Sequence, residues 1–192
     1  MAWVAKWSRS KTNENLGQLA TRLGLVLQPA VGWTKAARVT GTLHGKPVEI
    51  FTYATGSGKS RVTWSAVNAR PAATGGLTFT LNKRGLGTKL TELLGKQSIK
   101  TGEKAFDDAW HIASNQPEFF GAALLPEFCA KLAAARLVGR RGAFELKAGM
   151  VQYAETGSFL DPKRTARFDA LADIVCDLAD IAEVAAARAH TA

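Results

Sequence analysis

From Asp161 to Ala187 apolar residues return at steps of three and four: Phe168, Leu171, Val175, Leu178 and Ala182. Asp161 offers an N-cap carboxylate and Pro162 a first-turn proline, so the spacing predicts one helix about 40 Å long. A rod of that length with a continuous apolar side must lie on an equally broad apolar surface. Asp169, Asp173, Asp177 and Asp180 line another side. Such an acidic stripe ordinarily faces solvent; its other destinations are a basic partner or the basic half of this same chain.

Upstream the hydrophobic period changes from 3.6 to two, which supplies that surface. Val39 to Leu43 and Val48 to Tyr53 are rich in β-formers and are separated by the turn His44-Gly45-Lys46-Pro47. Arg61 to Val67 alternates again, with Val62, Trp64 and Ala66 on one side, which predicts a three-stranded antiparallel meander. Ala69 to Gly76 is a connection, and Leu77, Phe79 and Leu81 mark a further strand. Phe144 with Leu146 and Val151 with Tyr153 flank the turn Ala148-Gly149, a second hairpin. Before the meander, Thr12 or Asn13 caps a helix to about Leu23, with Leu16, Leu19 and Ala20 on one face and Gly24 as its stop. Residues 26–36 read as a loop around Pro29 and Gly32.

The stretch from Phe106 to Leu137 joins these parts. Phe106 to Ile112 suits a short buried strand, and Asn115 with Glu118 fits a capping box for the helix that follows. Pro126 opens a second, Ala-rich helix whose Phe128, Leu132 and Ala135 can face the core, with Gly139 ending it. Residues 1–192 therefore read as a single α+β domain, an antiparallel sheet of meander plus hairpin covered by helices, with residues 1–11 as a flexible or interfacial N-terminal segment. A helix followed by a hairpin occurs near residues 13–54 and again near 126–155, an echo that suggests two halves sharing one sheet.

Charge is distributed unevenly. Up to residue 104 there are 16 Lys/Arg against 4 Asp/Glu, and beyond it 9 against 12. That asymmetry points to an anionic partner: nucleic acid, an acidic protein or a membrane surface. Within the basic half, Asn82-Lys83-Arg84-Gly85-Leu86-Gly87-Thr88 precedes a short helix from Lys89 to Leu94. Cations and glycines before a helix N-terminus favour anions, so Lys83, Arg84, Thr88, Lys89, Lys96 and Lys100 are the candidate anion-binding residues. Trp3 and Trp7, four apart beside Lys6, Arg9 and Lys11, would place two indoles together at a membrane interface or onto the domain.

Reactive chemistry has little support. Gly58-Lys59-Ser60 lacks the P-loop glycine, because Tyr53 stands where it should be and strand formers follow where a helix is required. Cys129 and Cys176 lie far apart without metal-ligand spacing and read as buried thiols. His111, near Asp107 and Asp108, is the one acid–base candidate, yet on a strand His111 and Asp108 point to opposite faces. No metal or cofactor motif is present, no apolar run approaches the ~18 residues that span a bilayer, and no secretory leader opens the chain. A cytoplasmic location is the expectation, with peripheral membrane contact through the Trp segment.

Leu94-Gly95-Lys96-Gln97-Ser98-Ile99, the Gly102-Glu103 step with Phe106-Asp107, Ser114-Asn115 with Pro117, and Leu124-Leu125-Pro126-Glu127 form one recognisable pattern. Together they resemble a bacterial domain family of unknown function found in some membrane-anchored or multidomain proteins. Its members often carry hydrophobic N-terminal segments, from which this chain departs, and the resemblance implies no catalytic residue. The expectation is a non-enzymatic interaction module whose basic half meets an anionic surface. The alternatives are a small-molecule or enzymatic pocket between sheet and helices, and nonspecific nucleic-acid binding through phosphate contacts.

Overall fold

The computed structural model describes residues 2–30, 36–84, 98–134, 137–139 and 141–191. Eight strands form one antiparallel sheet in the order β1-β2-β3-β4-β8-β7-β5-β6. They are β1 (Val26–Gln28), β2 (Arg38–Leu43), β3 (Lys46–Thr55), β4 (Val62–Ala69), β5 (Phe79–Lys83), β6 (Trp110–Ser114), β7 (Ala143–Lys147) and β8 (Met150–Thr156). The described helices are α1 (Ala2–Leu23), α2 (Lys104–Ala109), α3 (Pro117–Ala123), α4 (Pro126–Ala134) and α5 (Pro162–Thr191). The domain is α+β, as the changes of period imply, and both hairpins of the internal echo lie in the one sheet.

Register explains the core. Val39, Ile50, Val67, Tyr153, Phe144, Leu81 and Ile112 are successive cross-strand partners, so a single apolar row crosses seven strands. The five periodic residues of α5, from Phe168 to Ala182, are fully buried with it. Burying each of the four larger ones is worth roughly 1.5–3 kcal/mol, so this contact outweighs any surface ion pair the helix makes. An aromatic chain ties the layers: Trp110 to Phe144 at 6.1 Å, Phe144 to Tyr153 at 4.8 Å, and Tyr153 to Phe168 at 5.8 Å. Asp161 caps α5 as expected, its carboxylate accepting from the Lys163 amide at 3.0 Å.

Four local readings change. Helix α1 begins at Ala2, ten residues before the Thr12 or Asn13 cap, and Trp7 on it is exposed while the Trp3 side chain lies outside the described set. The presumed loop 26–36 contains β1, too short for alternation to register, while 31–35 lie outside the described residues. Phe106 to Ile112 is not one strand: it divides into α2 and β6. Phe106 and Trp110, four apart, stack at 6.1 Å, and Asp107 fixes the helix start by accepting from the Thr101 amide and hydroxyl, each at 3.0 Å. Asn115 makes no capping box: it accepts from the Thr78 amide and donates to the Gly76 carbonyl, and Gln116 precedes α3 without a side-chain cap. Ala135, a predicted core residue, lies outside the described residues.

The acidic stripe of α5 meets basic side chains of the same chain. Asp169 pairs with Arg22, Asp173 with His44, Asp177 with Lys131, and Asp180 with Lys46, which also holds Glu183. Near the helix start, Glu155 is fully buried on the core face of β8. It accepts from Arg164 at 2.8 Å, Arg167 at 2.7 Å, the Tyr153 hydroxyl at 2.6 Å and the Gly139 amide at 2.9 Å. Gly139 is required here, since a Cβ would stand 2.0 Å from the carboxylate. Burial, then the Glu155 carboxylate, drives the Tyr153 phenol far above its ordinary range.

Breaking a buried ion pair from one side costs several kcal/mol. Glu155→Gln should therefore lower unfolding free energy by about 3 kcal/mol in urea melts; a loss under about 1 kcal/mol would show the cluster to be dispensable. The Lys46 cluster gives a pH-dependent test. Burial alone would raise the Glu183 carboxyl, but hydrogen bonds from Lys46 and the Ala72 amide outweigh it and bring it below its ordinary 4.5. A lowered folded-state pKa stabilises above the unfolded value and the effect disappears as pH falls through the folded one. Glu183→Gln should be less stable than the parent by about 1 kcal/mol at neutral pH. The gap should close on acidification below 4.5, and a pH-independent gap would contradict the assignment.

Candidate functional site on the open face of the sheet

Strand alternation that sends one set of residues to the core sends the neighbouring set to the other face. Every strand residue of the hydrophobic core lies on the side where α5 packs. The opposite side carries two rows. One passes from Arg38 through Phe51, Ala66, Ala154 and Ala143 to Asn82. The other is polar: Glu49, Asn68, Gln152, Glu145 and Thr80 are successive cross-strand partners.

At the β2–β3–β4 end, aromatic side chains gather on this face. Tyr53 is the direct cross-strand partner of Trp64, and their rings lie 6.2 Å apart and within 9° of parallel. Phe51, two residues along β3, stands 5.9 Å from Tyr53, and the Arg38 guanidinium lies 5.6 Å over the Phe51 ring. All three aromatics are half-buried. The Trp64 indole nitrogen donates to the Thr55 hydroxyl at 2.9 Å, which fixes the ring's orientation. Burial, and after it the Glu145 carboxylate, raises the Tyr53 phenol above its ordinary 10. Cross-strand aromatic pairs stabilise a sheet by well under a core residue's worth, so packing alone does not demand three of them here.

The β3–β4 connection is a 3₁₀ turn over Gly58–Ser60, followed at once by β4. Gly56 there has φ +76° and a Cβ would lie 2.5 Å from the Ser60 carbonyl, so the glycine serves the turn and the P-loop reading is excluded. Lys59 and Arg61 at this tip are exposed and make no ion pair among the described residues. Gln152 donates to Asn68 at 2.7 Å, locking the middle of the polar row. At the far end, Thr80, Ile99, Asn115, Glu145 and Lys147 line a groove of ≈ 690 Å³.

The loop assigned to anions from sequence is placed only in part. Lys83 ends β5 and is exposed, as is Lys100. Arg84 is committed to the fold: its amide donates to Ala109 and its side chain to the carbonyls of Asp107 and Trp110, at 2.8 and 3.0 Å. It thus holds the C-terminus of α2. Thr88, Lys89 and Lys96 lie outside the described residues, as does the short helix expected there. His111 is buried beside Asn82, whereas Asp108 pairs with Lys104 on the surface and Asp107 is spent on Thr101 and Gly102. Burial pushes the Cys129 thiol up and the Cys176 thiol to about 12, so both are inert at neutral pH. Among the described residues no group of His, Cys, Asp or Glu could hold a metal, and no helix is long and apolar enough to cross a membrane.

Sequence reasoning put Trp64 on one side of its strand but did not join it to Phe51 and Tyr53. The usable signal was parity, since three aromatics fall on alternate positions of two adjacent predicted strands. Arg84→Gln should cost about 1–2 kcal/mol of stability by orphaning helix carbonyls, while Lys83→Gln should stay within about 0.5 kcal/mol. Equal thermal melts for the two variants would remove the structural role of Arg84. Compared with protein-family models, curated proteins and solved structures, the chain matches none, so the reading of this face rests on its geometry.

Proposed function

We propose that the chain is a non-enzymatic interaction module that meets an anionic partner through the open sheet face of its basic half. The carrying observation is the Phe51–Tyr53–Trp64 cluster on the face opposite the helices, next to a hairpin tip with exposed Lys59 and Arg61. Internal pairing sharpens this reading. Arg22, His44, Lys46 and Lys131 are consumed by α5, and Arg164 and Arg167 by Glu155. Lys59 and Arg61, exposed and outside every ion pair among the described residues, are therefore available to a partner.

A second reading, small-molecule binding, is favoured by the ≈ 690 Å³ groove, which falls within the usual size range of ligand pockets. It lies on the open face rather than between sheet and helices, where the sequence expectation put a pocket.

Binding of heparin and of anionic vesicles, measured between about 50 and 200 mM salt, tests the leading reading. Affinity should fall steeply with salt, and the double variant Lys59→Gln/Arg61→Gln should reduce the log–log slope by about 2. Absence of salt-sensitive binding to any polyanion at low ionic strength would end the proposal.

A further inference from the structure

Resting on that reading, we infer that the anionic partner is a single-stranded nucleic acid, its bases stacked on Phe51, Tyr53 and Trp64 and its phosphates drawn to Lys59 and Arg61. The spacing of the rings points to this ligand. Phe51, Tyr53 and Trp64 present aromatic surface at centre spacings of 5.9 and 6.2 Å. Successive bases of a single strand stack on neighbouring aromatic side chains, so these adjacent rings offer such a strand more than one stacking partner. A duplex hides those base faces and offers only its phosphates.

The acids on this face are consistent with the same geometry. Glu49 adjoins the aromatic cluster, where it opposes phosphate but can accept from base amino groups, and the Asn68–Gln152 amide pair beside it carries no charge. Glu49 is already neutralised by Arg38, whose guanidinium adds a cationic plane over Phe51. The cations outside ion pairs among the described residues, Lys59 and Arg61, lie at the hairpin tip and the aromatics on the sheet, which places phosphate partners at one and base partners on the other.

A membrane surface fits less well. The tip from Gly56 to Arg61 contains no apolar side chain that could enter a bilayer, and the three aromatics are half-buried in the sheet instead of protruding. An acidic protein would use the cations but leaves the stacked rings without a role.

The test is fluorescence anisotropy of the full chain with a labelled mixed-sequence single strand, the same sequence as duplex, and phosphatidylserine vesicles. The single strand should bind at least tenfold more tightly than the duplex. Tyr53→Leu and Trp64→Leu should each weaken it roughly tenfold while thermal melts confirm folding. Trp64→Phe, which keeps an aromatic in place, should bind nearly as the parent does. The Trp64 emission, taken as the difference between parent and that variant, should be quenched on saturation. Equal affinity for duplex and single strand, or unaltered binding by folded Tyr53→Leu and Trp64→Leu, overturns the inference. If vesicles then bind in a Lys59- and Arg61-dependent way, the interaction module survives with a different partner. If neither nucleic acid nor vesicle binds, both readings fall.

Discussion

Burial of the α5 apolar stripe against one continuous row of strand side chains is the contact on which the molecule depends. The row runs from Val39 to Ile112 across seven strands, and the sequence order of those strands is far from their spatial order. β4 and β8 are neighbours at the sheet's centre although 81 residues lie between Ala69 and Val151, paired partners at its end. A long helix crossing that junction covers both halves of the sheet at once, and its ring contacts with Tyr153 and Phe159 fix where it lies. The polar contacts contribute less energy, but they select the helix's rotation by matching each acid to a basic side chain on α1, α4 or the β2–β3 hairpin.

That matching alters the meaning of the charge asymmetry. As a bare composition, the excess of cations before residue 104 describes a uniformly sticky half. In the fold, Arg22 and Lys46 are opposed by acids of α5, and Arg84 is turned inward to cap a helix. The exposed charge outside these contacts is smaller than the counts imply. Part of it lies where a tight hairpin tip projects Lys59 and Arg61 next to half-buried aromatic rings.

The sheet's two faces divide the work. One is dry and supports the helices, with Glu155 as its buried polar knot. The other has rows of small, amide and aromatic side chains that the core does not use. Rigid strands hold Phe51, Tyr53 and Trp64 at fixed spacing, which suits recognition by stacking because little entropy remains to be lost on binding.

Much of the architecture was legible in the residues. The period-two segments gave the meander and the β7–β8 hairpin, and Asp161-Pro162 with its three- and four-step repeat gave α5. Their signals are local, set by backbone geometry within a few positions. Where two local readings competed, as at Phe106 to Ile112, aromatic content suggested a strand while the four-residue spacing of Phe106 and Trp110 held the first half as a helix. β1 was missed because three residues cannot show a period.

The chain alone determined which residues alternate, which repeat at helical spacing, and how unevenly its charges are spread. It could not determine which cations would be neutralised, or that Phe51, Tyr53 and Trp64 would meet on the uncovered side. Those outcomes depend on register and strand order, which arise from packing between segments far apart in sequence. Only the tertiary fold, by choosing which face of the sheet α5 would bury, left the other one clear of the described helices.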